Sequence, residues 1–237
     1  ATEATGNGQI TAKALTVAIT GNPTKEYDGD DTATLTSGDY TVTGLVGTES
    51  VTITKTTGTY ASADVGTHVV TVSLDPADYS GSSGFDANNY TLATEATGNG
   101  QITAKALTVA VTGNPTKEYD GDTDATLTSG DYTVTGLVGT ESVTITKTTG
   151  TYASKDVGTH LITVSLASGD YDGSSGFDPD NYTLATEATG NGQITAKALT
   201  VAITGNPTKE YDGDDTATLT SGDYTVTGLV GTESVTI

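Results

Sequence analysis

Residues Lys25 to Asp31 read KEYDGDD, and the word returns as KEYDGDT from Lys117 and as KEYDGDD from Lys209. Asp28, Asp30 and Asp31 crowd around a single glycine. Carboxylates at that density can ligate a divalent cation, share a proton in acid–base catalysis, or bond the backbone ahead of them in a turn. Calcium takes about six to eight oxygens from carboxylates, carbonyls and water. DGDD supplies three carboxylates but has neither the loop spacing nor the closing Glu of an EF-hand. The second copy offers Asp120, Asp122 and Asp124, with Thr123 between the last two, and the third offers Asp212, Asp214 and Asp215. One carboxylate therefore moves a position along between copies, which a fixed ligand set tolerates badly. Asp-Gly, by contrast, is a strong tight-turn signal, because glycine takes positive φ and Asp bonds the backbone ahead. Tyr27 is then expected to anchor the turn, ring on the core and hydroxyl at the rim. The reading is a turn with an acidic tip. Calcium on these nine aspartates is the one cofactor the sequence suggests, with Glu3, Glu26, Asp64 and Asp86 as further carboxylates.

The remaining reactive types are sparse. His68 and His160 sit in VGTH, one imidazole per full copy, at the entry to a strand. Serine-based catalysis needs Ser, His and Asp converging on one pocket, and no GxSxG-like word supplies the serine. A lone imidazole per copy reads as a strand-edge residue. Eleven acidic residues in 1–92 make chance carboxylate pairs plentiful, so no spacing singles out a glycosidase pair. TVTG and TITKTTGT look like ice-binding Thr ladders, but they occur only a few times per copy. Half-buried strand Thr, with opposed pairs adding a little stability, explains them. NYT at Asn89 and Asn181 has the N-glycosylation pattern. Lys13, Lys25 and Lys55 recur in polar or junction contexts, which do not suit the buried lysine of an isopeptide cross-link. No enzyme is expected.

The words repeat because the chain does. ATEATGNGQITAKALTV begins at Ala1, Ala93 and Ala185, a period of 92 with no insertion or deletion. Copies 1–92 and 93–184 differ at 12 positions, and 185–237 matches 1–53 throughout. That period exceeds the roughly 20–50 residues of a solenoid unit and suits a small domain with its own core. In ITAKALTVAIT the apolar phase changes between Ile10, Ala12, Ala14 and Leu15, Val17, Ile19, so the chain bulges or changes core there. This places a last strand of a preceding repeat at 1–14, repeats at 15–106 and 107–198, and an incomplete third at 199–237. The chain reads as a window on a longer array.

Composition limits the partners. Nine basic residues, all Lys, face thirty acidic ones for a net charge of −21. Such a surface repels phosphate backbones and anionic lipids, which argues against nucleic acid and membrane partners. The absence of Cys removes disulfides, thiolate metal sites and thiol nucleophiles together. No apolar run approaches the ~20 residues of a membrane span.

Thr fills 53 positions and, with Val and Ile, gives the β-branched bias of strands. ALTVAIT, DTATLT, DYTVTG, ESVTITKT, GTHVVTVSL, NNYTLAT and GQITAKA carry strand alternation, punctuated by GNPT, YDGD, TSGD, LVGTE and DPADYSGSSGFDAN. Nothing recurs at helical spacing. About seven short strands per copy predict an all-β fold of tandem immunoglobulin-like sandwiches in an extended array, with a closed barrel as the alternative. KEYDGDDTAT, preceded by ITAKALTV and followed by VGTHVVTVSL and NNYTLATEATGNGQITAKA, resembles the YDG-type repeat, related to MBG repeats. The resemblance covers essentially the whole chain, at Lys25–Thr34, Lys117–Thr126 and Lys209–Thr218. It implies an all-β module strung in tandem in very large bacterial surface and secreted proteins, including filamentous-haemagglutinin-like adhesins. It brings no catalytic residues.

The expectation is therefore a structural stalk or fibre outside a bacterial cell, its partners being neighbouring repeats of the same or identical chains. One alternative is a filament whose incomplete repeat is completed by another molecule. The other is a module holding a host or surface glycan or protein by avidity. That would need Tyr40, Tyr60, Tyr79, Phe85 and Tyr90 as a platform and the variable loop DYSGSSGFDANNY as the recognition surface.

Overall fold

The computed structural model describes residues 3–82, 84–174 and 176–237, and among these every regular element is a strand or a one-turn 3-10 helix. The chain is all-β. The first copy contributes β1 (Lys13–Ala14), β2 (Thr16–Ile19), β3 (Thr24–Glu26), β4 (Thr32–Thr34), β5 (Tyr40–Thr43) and β6 (Ser50–Ile53). It continues with β7 (Thr57–Tyr60), β8 (Gly66–Ser73), β9 (Tyr79–Ser82), β10 (Tyr90–Thr91) and β11 (Glu95–Thr103). The main sheet runs β4-β7-β8-β11-β2-β5, with β3 also on β11.

Strand β11 organises the copy. Against β8 it pairs antiparallel from Glu95↔Ser73 to Ile102↔Gly66. Along its other edge β2 and β3 lie parallel, at Thr97↔Ala18 and at Gln101–Thr103 against Thr24–Glu26. Two successive strands share that edge because the chain breaks at Thr20–Pro23, where Asn22 takes φ 50°. The break passes so close that a Cβ on Gly98 would lie 2.0 Å from the Ile19 carbonyl oxygen, and one on Gly100 2.7 Å from that of Pro23. The repeated word TGNG thus clears room for a neighbour's backbone. Separate short ladders join β6 to β9, antiparallel, and β1 to β10, parallel.

Alternation does the burying. In β2 Val17 and Ile19 turn inward while Thr16 and Ala18 face out, and Val70 and Val72 of β8 are fully buried beside Tyr60, Leu35, Ile53 and Ile102. Each such side chain contributes about 1.5–3 kcal/mol of transfer free energy. Outside the core, opposed Thr hydroxyls meet at 2.5 Å between Thr16 and Thr43 and 2.8 Å between Thr20 and Thr41. The phase changes where the sequence slips: Ile102 and Leu107 are both buried, five residues apart.

The acidic residues of the turns mostly serve the backbone. In TSGD the Asp39 carboxylate accepts from the Thr36 amide (2.6 Å) and hydroxyl (2.8 Å), fixing a one-turn helix. The arrangement recurs at Asp131 and Asp223. The structure adds strands the pattern hid. Lys25 and Glu26 of the acidic word belong to β3. β7 contains a glycine, at which a Cβ would sit 2.7 Å from Val72 Cγ2. Part of the variable loop is β9.

The chain divides into two compact units. The first runs through Leu107 and takes in Gly136–Ser142 and a stretch ending at Leu184; the second is Thr108–Thr135, Val143–Ser174 and Ala185–Ile237. The second has its own core of Val109, Leu127, Ile145, Tyr152, Ile162 and Ile194 with their neighbours. The first unit therefore contains residues of two sequence copies.

Candidate functional site

The acidic word begins in β3 and turns into β4. Asp28 Oδ1 accepts from the Asp30 amide at 3.1 Å, and Asp30 Oδ1 from the Thr32 amide at 2.7 Å, two consecutive Asx-type turns across Gly29 at φ +83°. Lys25, reaching forward from the strand, is the cation of this loop. Its Nζ lies 2.7 Å from Asp28 Oδ1 and 2.8 Å from Asp30 Oδ1, and it also donates to the Asp30 and Thr32 carbonyls at 2.9 and 3.2 Å. The lysine side chain is 16 % exposed and the carboxylates 50 % and 60 %. The second and third copies repeat it: Lys117 holds Asp120 and Asp122 at 2.7 and 2.5 Å, and Lys209 holds Asp212 and Asp214 at 2.8 and 2.7 Å. The lysine hydrogen bond keeps the carboxyls of Asp30, Asp120, Asp122, Asp212 and Asp214 below the usual carboxylate range. For Lys25 itself, partial burial pulls its pKa down, but the hydrogen bonds and charges of Asp28 and Asp30 outweigh it and the net shift is upward.

The third carboxylate stands apart. Position 31 works through its main chain, since the Asp31 carbonyl accepts from the Tyr60 amide at 2.7 Å. Thr123 does the same for Tyr152 at 2.7 Å. That bond does not depend on the side chain, which lets a carboxylate move from Asp31 to Asp124 between copies. Asp215 is exposed. Of the other carboxylates the sequence offered, Glu3 is exposed and three are engaged elsewhere: Glu26 with Lys105 at 3.4 Å, Asp86 with the Asn88 amide at 3.0 Å, and Asp64 with Ser62 at 2.9 Å. Among the described residues no group of three or more His, Asp or Glu side chains is arranged to hold a metal ion. A calcium ion at Asp28 and Asp30 would have to displace Lys25.

Tyr27 departs furthest from a simple turn anchor. Its ring is buried edge-on to Tyr182 (centroids 5.4 Å, 79°), and its hydroxyl donates to Glu141 Oε1 at 2.7 Å. Glu141 also accepts from the Tyr182 hydroxyl, so one carboxylate joins two phenols. Burial first and the Glu141 carboxylate second push the Tyr27 phenol up to about 12. Nearby, Asn181 Nδ2 donates to Asp64 Oδ1 at 3.2 Å, and Asn181 Oδ1 accepts from the Val65 amide at 2.8 Å. Hydrogen bonds from Asn181 and then Ser62 hold the Asp64 carboxyl low. All these residues lie inside the first compact unit. Sequence reasoning missed the cluster because the hydrogen bonds that join its two halves span 114 to 117 residues. The available signal was the Glu that recurs, with the repeat, at 49, 141 and 233.

The other candidates have structural partners. His68 Nε2 lies 2.8 Å from the Asp64 carbonyl, and the Ser62 hydroxyl bonds the Asp64 carboxylate. The Tyr40, Tyr60 and Tyr79 hydroxyls donate to the carbonyls of Lys55, Pro23 and Ala93. Phe85 stacks on Tyr90, whose hydroxyl donates to Glu49 and accepts from the Val46 amide at 3.1 Å. Of the two NYT asparagines, Asn89 is exposed and Asn181 buried.

A family model described as the YDG domain matches residues 11–98 and again 103–190. No curated protein and no solved structure matches the chain.

Proposed function

Because the chain belongs to the YDG domain family and carries that domain in two matched copies, we propose that it is a structural stalk or fibre-forming segment of a bacterial extracellular surface protein or adhesin. The observation that carries this reading is the composition of the first compact unit, which takes in Gly136–Ser142 and the stretch to Leu184 from the following copy. Copies that share side-chain contacts resist bending at their junctions, as a spacer requires. Each copy is read as an immunoglobulin-like sandwich. Support comes from the separate β6/β9 ladder, which turns Ile53 and Tyr79 inward beside the main sheet's core. The role is not catalytic: the reactive side chains are taken up by turns, strand edges and junctions. The net charge of −21 keeps identical neighbours from mispairing and suits the outside of a cell.

Antibody raised against one 92-residue copy tests the location on cells that make the protein. Labelling of intact cells is the expected result; labelling only after permeabilisation overturns the extracellular reading.

A further inference from the structure

We propose that the YDG word is a connector that docks a following copy of the same module: Tyr27 and Gly29 take up Glu141 and Val138, while Asp64 takes up Asn181. This deepens the stalk reading and rests on it. The geometry of Tyr27 on Glu141, given above, is one half of the contact. The other half is Gly29, where a Cβ would sit 2.9 Å from Val138 Cγ1. Glycine at this position therefore serves both the positive φ of the turn and the close approach of a valine.

The same pairing forms a second time. In the second unit the Tyr119 hydroxyl donates to Glu233 Oε1 at 2.7 Å, and a Cβ on Gly121 would lie 2.9 Å from Val230 Cγ1. Each glutamate stands 114 residues ahead of its tyrosine, and the valines likewise lie in the following copy, so the connector runs in one direction, from the turn of one copy to the Val and Glu of the next. Such a heterologous contact propagates along a chain and does not close on itself.

The third occurrence separates turn from docking. Tyr211 is 96 % exposed and a Cβ on Gly213 would meet nothing within 4 Å, yet Gly213 keeps φ +86° and Lys209 keeps both aspartates. The lysine-closed turn at Lys209–Asp214 thus stands without the tyrosine contact, so the turn and the docking are separate features of the word. Asn89 and Asn181 show the same contrast from the other side. Both follow an aspartate-fixed turn, through Asp86 to the Asn88 amide and Asp178 to the Asp180 amide, at 3.0 Å each. Only Asn181, set against Asp64 and Val65, is buried. Tethering supplies the effective concentration, so a few hydrogen bonds and one buried ring suffice.

The test is amide hydrogen exchange of the full chain at Val65, whose N–H donates to Asn181. Asn181→Ala is expected to speed Val65 exchange about tenfold, the loss of one partly buried hydrogen bond. The Val70 and Val72 amides in the core strand report folding and stay slow. Asn89→Ala, the same change in the same turn of the first copy, should leave Val65 as it was. Unchanged Val65 exchange in Asn181→Ala overturns the connector, as does an equal effect of Asn89→Ala. Glu141→Ala is the second variant and should speed Val65 exchange in the same direction; no change there also overturns it. Failure of intact-cell labelling would remove the location while leaving the exchange result standing, so the two readings fail separately.

Discussion

Residues 15–53 and 199–237 have the same sequence, and they reach different ends. Val17, Ile19 and Tyr27 are buried, whereas Val201 and Ile203 are about half exposed and Tyr211 almost wholly so. What persists in both is local: Thr200 to Ile203 pair with Thr227 to Tyr224 as Thr16 to Ile19 pair with Thr43 to Tyr40. The aspartate-fixed one-turn helix and the lysine-closed acidic turn persist as well. What differs is everything a distant strand supplies. In the first copy β8 and β11 extend the sheet beyond β2, while Thr200–Ile203 belongs to a sheet of two strands. Turn chemistry is carried by the few residues of the turn; a core belongs to the pairing.

The sharpest way to break the comparison uses the word EATGNGQIT, which is β11 at Glu95–Thr103 and exposed chain at Glu3–Thr11. Ile102 is fully buried and Ile10 is 99 % exposed. Ile102→Ala should cost about 2–5 kcal/mol in the first unit, while Ile10→Ala stays within about 0.5 kcal/mol. Denaturant unfolding followed at first-unit amides measures both. Next in size, Tyr27→Phe leaves Glu141 with one phenol fewer and should cost about 1 kcal/mol. Tyr211→Phe should cost nothing measurable when the titration is followed at second-unit amides.

The phenol of Tyr27 gives a smaller effect with a definite sign. Its folded value is raised to about 12 from an ordinary 10, so folding favours the protonated form. The associated stability is fully present below about pH 10 and lost as pH rises toward 12. Carbon NMR of labelled tyrosine should show Tyr27 titrating late, and earlier in Glu141→Ala. The smallest effect is at the acidic turn. Lys25→Met removes a partly exposed ion pair and should cost under about 1 kcal/mol. Asp30, held low by Lys25, contributes stability present above the ordinary carboxylate range and lost as pH falls through its depressed value. In Lys25→Met that acid-side loss should shrink.

The sequence made much of this legible, and the rest fails for physical reasons. Alternating Thr and Val exposed most strands, and the Asp-Gly step announced the turn at Gly29. Strand β9 stayed hidden because Tyr-Ser-Gly-Ser has no apolar alternation; only its ladder to β6 makes it a strand. The aspartates were read as a set, but position 31 acts through its carbonyl and Lys25 supplies the cation. The partner of Tyr27 was out of reach of any local pattern, because the signature spans a few residues while its contact spans 114.

Electron microscopy of arrays with two, four and eight complete copies, in calcium and in chelator, tests the central claim most directly. The account predicts single rods whose length rises by one fixed increment per copy and is the same in both solutions, since Lys25 and its counterparts already sit between the two turn carboxylates. Particles that do not lengthen with copy number would contradict the structural reading, and rods that stiffen only with calcium would return the aspartates to the role of metal ligands.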